Sequence, residues 1–222
     1  MQKPIQNFVT PKVTVIRSGL LQATGTNGQN TYMVGSIALV QSRDKNILFD
    51  TGTLEQKPEL VQGLQKANLK PSHIDMVVTS HGHPDHFSND ALFPGAKHNF
   101  DRFLFTLGTA ERNPFNNNQR YFLFNDQNLE LIKTPGHTPQ DTSLIVRNVQ
   151  NYGNVGFAGD LFVSEEDAKS PAGSLFPNSQ GWLTVTKTEF PRNNCHSDPK
   201  SKLSNPDDGK LFQAGEGKSR QK

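Results

Sequence analysis

His81, His83, Asp85 and His86 fall within six consecutive positions, in the run Thr79-Ser80-His81-Gly82-His83-Pro84-Asp85-His86. Zinc takes imidazole nitrogen and carboxylate oxygen as ligands at about 2.0–2.2 Å. Groups of these types so close together suit a pair of metal ions better than one. His81 and His83 stand two apart, so an extended backbone would send both side chains to the same side. Pro84 then fixes φ and turns the chain, leaving Asp85 and His86 to enter a helix and point back at the same place. Two more ligand-type residues follow: His137 in Thr134-Pro135-Gly136-His137-Thr138, and Asp160 after Ala158-Gly159. Singly, each would read as an ordinary turn residue. Their succession after His-x-His-x-Asp-His makes metal binding the reading. Such a metal pair does hydrolysis: bound water ionises near neutral pH, and the hydroxide attacks an electrophilic carbon or phosphorus. No organic cofactor is needed. Imidazole plus carboxylate favours zinc, although iron and manganese also suit such ligands.

The elements that must position these groups can be read from apolar runs. Ile74–Thr79 reads as a buried strand that delivers His81 and His83. Leu129–Lys133 reads as a strand ahead of His137. Leu144–Val149 and Val155–Ala158 form a hairpin that ends at Gly159-Asp160. Ligands placed at strand ends share one rigid edge. Upstream, Val13–Ile16 is a first strand and Gly25–Gly28 a turn. Tyr32–Val40 and Ile47–Asp50 are the two strands of a hairpin joined through Gln41–Asn46. Pro58–Asn68 is the clearest helix, with Leu60, Val61, Leu64 and Ala67 on one stripe and Pro71 blocking any continuation. Phe87–Leu92 reads as a short helix, Ala96–Phe100, Phe103–Thr106 and Tyr121–Phe124 as short strands, and Asn113–Gln119 as a polar loop. The order strand, strand, helix, strand predicts an α/β sheet with a helix on one face.

The chain has 222 residues, 33% of them hydrophobic, and a formal net charge of +2. That is long enough for one domain with a real core plus a tail, and the charge is too small to argue for nucleic acid by itself. Cys195 is the only cysteine, so no internal disulfide forms and no thiolate-rich zinc site is possible. No apolar run approaches the length of a membrane span, and no signal-type apolar segment opens the chain. A protein of the cytosol and nucleus, with no membrane contact, is the expectation. Trp182–Thr188 reads as one late strand, whereas Pro191–Lys222 has the composition of a disordered tail.

His81-Gly82-His83-Pro84-Asp85-His86 resembles the signature of the metallo-β-lactamase superfamily. The resemblance extends over about Lys12 to Phe176 and includes Leu92-Phe93-Pro94-Gly95-Ala96 and Thr134–Thr138. It implies an α/β (α+β) metallo-β-lactamase αββα sandwich over 1–177, and an atypical, largely disordered polar tail over 178–222 that leaves the C-terminal part incomplete. It implies two zinc ions. His81, His83 and His137 would hold one, Asp85 and His86 the other, and Asp160 would bridge them, with Asp50 beneath orienting ligands. Asp85 would also serve catalysis by orienting the nucleophile or handling its proton. The superfamily completes its second site with a late Pro-Gly-His histidine that this sequence lacks, and His196 is the only late histidine that could stand in. One branch of the superfamily cuts the 3′ end of histone pre-mRNA, so the resemblance implies an endoribonuclease with RNA as partner; a homodimer is a possible assembly that the residues do not decide. Arg102, Arg112, Arg120 and Lys133 with Phe103, Phe105, Phe115, Tyr121 and Phe122 give that reading modest support, since single strands need stacking surfaces and cations. The same residues would equally suit a solvated face over a phenylalanine-rich core. Two other readings stand beside it: a thioester or lactone hydrolase of the glyoxalase II kind, and a weakly active or non-catalytic isoform, which the tail motivates.

Overall fold

Ile37-Ala-Leu-Val40 and Ile47-Leu-Phe49 are apolar at every position, the pattern of strands covered on both faces rather than one. In the computed structural model, which describes residues 10–24, 30–162, 211–212 and 214–215, both segments lie in the middle of a seven-stranded sheet. The strands are β1 (Lys12–Arg17), β2 (Gly19–Thr24), β3 (Asn30–Val34), β4 (Ile37–Ser42), β5 (Lys45–Phe49), β6 (Met76–Val78), β7 (Lys97–Phe100), β8 (Phe103–Thr106), β9 (Thr109–Arg112), β10 (Arg120–Phe122), β11 (Leu129–Lys133), β12 (Thr142–Val149), β13 (Gly153–Phe157), β14 (Leu211–Phe212) and β15 (Ala214–Gly215). The helices longer than a single 3-10 turn are α1 (Lys57–Lys66) and α2 (Pro84–Phe87).

The large sheet runs in the order β1-β4-β5-β6-β7-β8-β9, and a second sheet runs β10-β11-β12-β13-β14. Ala38, Val40, Ile47, Phe49, Met76 and Val78 from the first meet Leu129, Leu131, Leu144, Val146, Val155 and Phe157 from the second in one buried core. Phe49 and Phe157 have ring centroids 5.6 Å apart at its middle. On the other face of the first sheet, Ile37, Leu39, Leu48 and Val77 pack against Leu60 and Leu64 of α1. Strand β5 pairs parallel with β6, and β6 parallel with β7, so α1 is the crossover that parallel neighbours require. Open sheets with such crossovers bind ligands beyond the carboxyl ends of their parallel strands.

Several expectations needed correction. Tyr32–Val40 is not one strand: β3 pairs with β2 in a separate small sheet, and the chain changes sheets at Gly35-Ser36. The reason is local, because a Cβ on Gly35 would lie 2.6 Å from the Asp85 carbonyl oxygen and 2.9 Å from the His86 ring. The ligand loop presses on the backbone there. Helix α2 starts at Pro84 rather than Phe87, as a proline in the first turn favours, and Asp90–Leu92 is a separate 3-10 turn. Strands β2 and β9 were not anticipated. Trp182–Thr188, Gly25–Gly28 and His196 lie outside the described residues, as does most of 178–222. Two short strands from that region are described: β14, parallel to β13, and β15, parallel to β2. Among the described residues no helix is long and apolar enough to cross a membrane.

Candidate metal centre

Four strands end on one patch. Strand β5 delivers Asp50, β6 delivers Ser80 and His81, β11 leads to His137, and β13 to Asp160. Asp50 has φ of +57°, the left-handed region that an aspartate tolerates better than most residues. Its backbone N–H still donates to the Val78 carbonyl at 2.9 Å, so the side chain is turned under the ligand loop without loss of the ladder. His81 does not leave an extended strand as expected. It sits in a bend, and His83 occupies the N-cap position of α2. The turn nevertheless brings the two rings together.

His83 Nδ1 lies 3.0 Å from His81 Nε2 and 2.9 Å from His137 Nε2. Asp160 Oδ2 approaches His81 Nε2 at 3.9 Å and His137 Nε2 at 3.8 Å. Its other oxygen, Oδ1, faces His86 Nε2 at 3.2 Å, and Asp85 Oδ2 reaches the same nitrogen at 3.5 Å. Two groups of metal-ligand type result, His81–His83–His137–Asp160 and Asp85–His86–Asp160, each with ligand atoms within 4.8 Å of one another. Asp160 belongs to both, one oxygen toward each. The expected residues His81, His83, Asp85, His86, His137 and Asp160 therefore converge.

Whether a cation fits is decided at His86. Its Nδ1 lies 2.8 Å from Asp50 Oδ2, and its buried Nε2 has no hydrogen-bond partner although two carboxylate oxygens face it. A lone pair aimed at two carboxylates is repulsive. Positive charge must therefore sit at that point, either as a proton on the ring or as a metal ion between the three groups. The poor hydrogen-bond alignment favours the ion.

The electrostatics of His81 and His137 suit ligands. Burial holds the His81 imidazole down at about 3, and the charge of His86 adds to that. Burial likewise lowers His137. Both rings are neutral at pH 7, the form a ligand needs. For His86, burial pulls downward, but the Asp50 and Asp160 carboxylates outweigh it and hold the ring well above its ordinary value. Burial also pushes Asp160 up, and His86, His81 and His137 overcome it, leaving the carboxyl at about 2.

Residues that the motifs did not disclose hold this centre in place. Ser80 contacts Asp50, His81 and His86. Asp141, buried behind the His137 turn, accepts from the Thr138 backbone N–H and hydroxyl, both at 2.8 Å. Gly159 has φ of +56°, and a Cβ there would stand 2.7 Å from the Ser80 side chain. A glycine beside an aspartate was the only trace of this in the sequence. His81 and His86 form the buried floor, and His83 is exposed, so the centre opens on the His83 side.

The basic and aromatic residues divide. Lys133 is buried and paired with Asp101 at 2.9 Å, Arg120 pairs with Glu130 at 3.2 Å, and Phe115 belongs to the core. These serve the fold. Phe103, Phe105 and Phe122 are exposed, and the Arg112 guanidinium stands 5.7 Å from the Phe103 ring centroid.

Residues 30–99 match the family model of the metallo-beta-lactamase superfamily. Metallo-beta-lactamase domain-containing protein 1 of Xenopus laevis is 35% identical over 136 residues, which is 61% of this chain and 58% of that protein. The chain spans about half the length of the curated relatives it matches. Among solved structures, a Thermotoga maritima protein assigned to the metallo-beta-lactamases superimposes with a TM-score of 0.58 at 18% identity, covering 75% of this chain and 88% of its own. An N-acyl homoserine lactone hydrolase with product bound at its catalytic metal centre gives 0.55 at 16% identity, over 78% of this chain and 84% of that one. At such identities the likeness speaks for the fold.

Proposed function

We propose that this chain, whose residues 30–99 match the metallo-beta-lactamase superfamily model, is a metal-dependent hydrolase working with two divalent ions. The observation that carries the proposal is Asp160, whose two oxygens face two separate ligand groups. His81, His83 and His137 would hold one ion with Asp160, and Asp85 and His86 the other. Bound there, zinc supplies Lewis acidity and an activated water at neutral pH. The protein's own part is to keep His81 and His137 neutral by burial, to fix His86 through Asp50, and to leave the His83 side open to substrate. Asp85, half-buried at that opening, is placed to orient the attacking water or to take its proton.

For the bond that is cut, we favour the phosphodiester of single-stranded RNA, the 3′ end of histone pre-mRNA being the substrate that the family resemblance suggests, with the cytosol and nucleus as its setting. The supporting feature is a face that starts at the ligand loop. Phe100 abuts Gly82, where a Cβ would be 3.3 Å from its ring. Phe103 stands directly opposite Phe100, and Arg112 opposite Phe103, across β7, β8 and β9. Exposed rings followed by a guanidinium suit stacked bases and their phosphates. A second reading, hydrolysis of a lactone or thioester, is favoured by the fold shared with the lactone hydrolase.

Zinc-loaded full-length protein should cleave a histone 3′-end RNA and lose that activity in His83→Ala. Turnover of a glutathione thioester or an acyl homoserine lactone without RNA cleavage would replace the first reading by the second. A chain with two bound ions that hydrolyses none of the three would leave the non-catalytic reading.

A further inference from the structure

Ser80 is fixed at every polar atom it has. Its N–H donates to Asp50 Oδ1 at 2.7 Å, and its carbonyl accepts from Thr142 N–H at 2.9 Å. Its hydroxyl oxygen lies 2.8 Å from Asp50 Oδ2, 3.1 Å from His81 Nδ1 and 3.2 Å from His86 Nδ1. The residue is 1% exposed, so no solvent competes for these contacts. Gly159 makes the room, since any side chain there would meet the hydroxyl.

A hydroxyl has one proton and two lone pairs. Asp50 is acceptor-only when ionised, and it already accepts from Ser80 N–H and from the His86 ring. If the hydroxyl proton went to His81 Nδ1 instead, Asp50 Oδ2 would face a serine lone pair at hydrogen-bond distance. The proton therefore goes to Asp50. A lone pair is then left facing Nδ1 of His81, which must carry its hydrogen, while the His86 Nδ1 hydrogen goes to Asp50 Oδ2 at 2.8 Å.

We propose that Ser80 is a positioning residue that selects the tautomer of His81, so that His81 presents Nε2 to the centre. The choice is between the two neutral forms of the His81 ring and needs no change of charge. His81 Nε2 faces His83 and Asp160, and His86 Nε2 faces Asp85 and Asp160. The hydroxyl thus prepares the His81 position before any ion arrives, and Asp50 holds the His86 ring from the same side. A ring left to choose would spend part of its time with a hydrogen on the ligating nitrogen. Groups that orient metal-bound histidines in this way typically change metal affinity by about 10–100-fold when removed.

The proposal rests on reading His81 as a metal ligand, and the test separates the two. In metal-free full-length protein labelled with 15N-histidine, long-range proton–nitrogen spectra should show His81 protonated at Nδ1 and bare at Nε2. Ser80→Ala should shift His81 toward the other tautomer and weaken zinc at the position that His81 serves by about 10–100-fold. Ser80→Thr, which keeps the hydroxyl, should restore the wild-type spectrum where it folds. A wild-type His81 carrying its hydrogen on Nε2 overturns the proposal without any variant. So does a folded Ser80→Ala that binds zinc as tightly as wild type. Wild-type protein that binds no zinc at all would instead remove the reading of the ligands themselves.

Discussion

Asp160 does what no neighbouring residue can do, because one carboxylate faces both ligand groups. Asp160→Asn keeps the shape and one oxygen but loses the charge and the second acceptor. It should reduce bound metal from two ions to one or fewer, with hydrolysis falling by at least about 100-fold, at the upper end of what a lost metal contact costs. Elemental analysis beside a rate assay checks both, and a variant holding two ions at full rate would refute the bridge. His86 adds a pH dependence. Its pKa in the metal-free fold is raised, so the ring keeps its proton up to higher pH than a free histidine and competes with metal there. Metal uptake must expel that proton, and the apparent affinity must fall as the pH falls. Calorimetric titration in buffers of different ionisation enthalpy should therefore show net proton release, and identical heats in all buffers would contradict it.

At the scale of elements, the strands and the site are separable. Leu64 of α1 packs on the face of the sheet remote from the second sheet, and Leu64→Ala should cost about 2–5 kcal/mol of stability. Denaturant unfolding should show that loss while zinc content per folded chain stays unchanged. Gly159→Ala should do the reverse. Its φ of +56° and the 2.7 Å approach to Ser80 mean that a methyl group displaces the hydroxyl or the Asp160 turn. Metal affinity should drop further than stability does. The contrast also shows what could be read from the sequence. Ligand residues that follow apolar strands were legible, since β6, β11 and β13 announce themselves and the residues after them are of metal-binding type. The helix α1 was legible from its stripe. The break between β3 and β4 was not, because Gly35 is needed only where Asp85 and His86 press on it, a contact between distant parts of the chain. Strand β9 is exposed throughout, so no apolar alternation marks it. Ser80 and Asp141 act through hydrogen bonds that only the assembled loops reveal, and neither residue type advertises that role.

Among the described residues the two larger sheets pack face to face, with the candidate metal centre at the edge where strands from both end. Ions held at that edge would tie β6 to β11 and β13. A ligand that binds only the folded state stabilises it by mass action, by about 2.7 kcal/mol at a hundredfold excess over its dissociation constant. Zinc should therefore raise the melting temperature of the full-length chain and a chelator should lower it, a difference that differential scanning calorimetry reads directly. The measurement that bears most closely on the central claim is anomalous scattering at the zinc edge from crystals of the zinc-loaded protein. The account predicts two peaks, one beside His81, His83 and His137 and one beside Asp85 and His86, with Asp160 between them. A single peak away from Asp160, or none near His81, would contradict it.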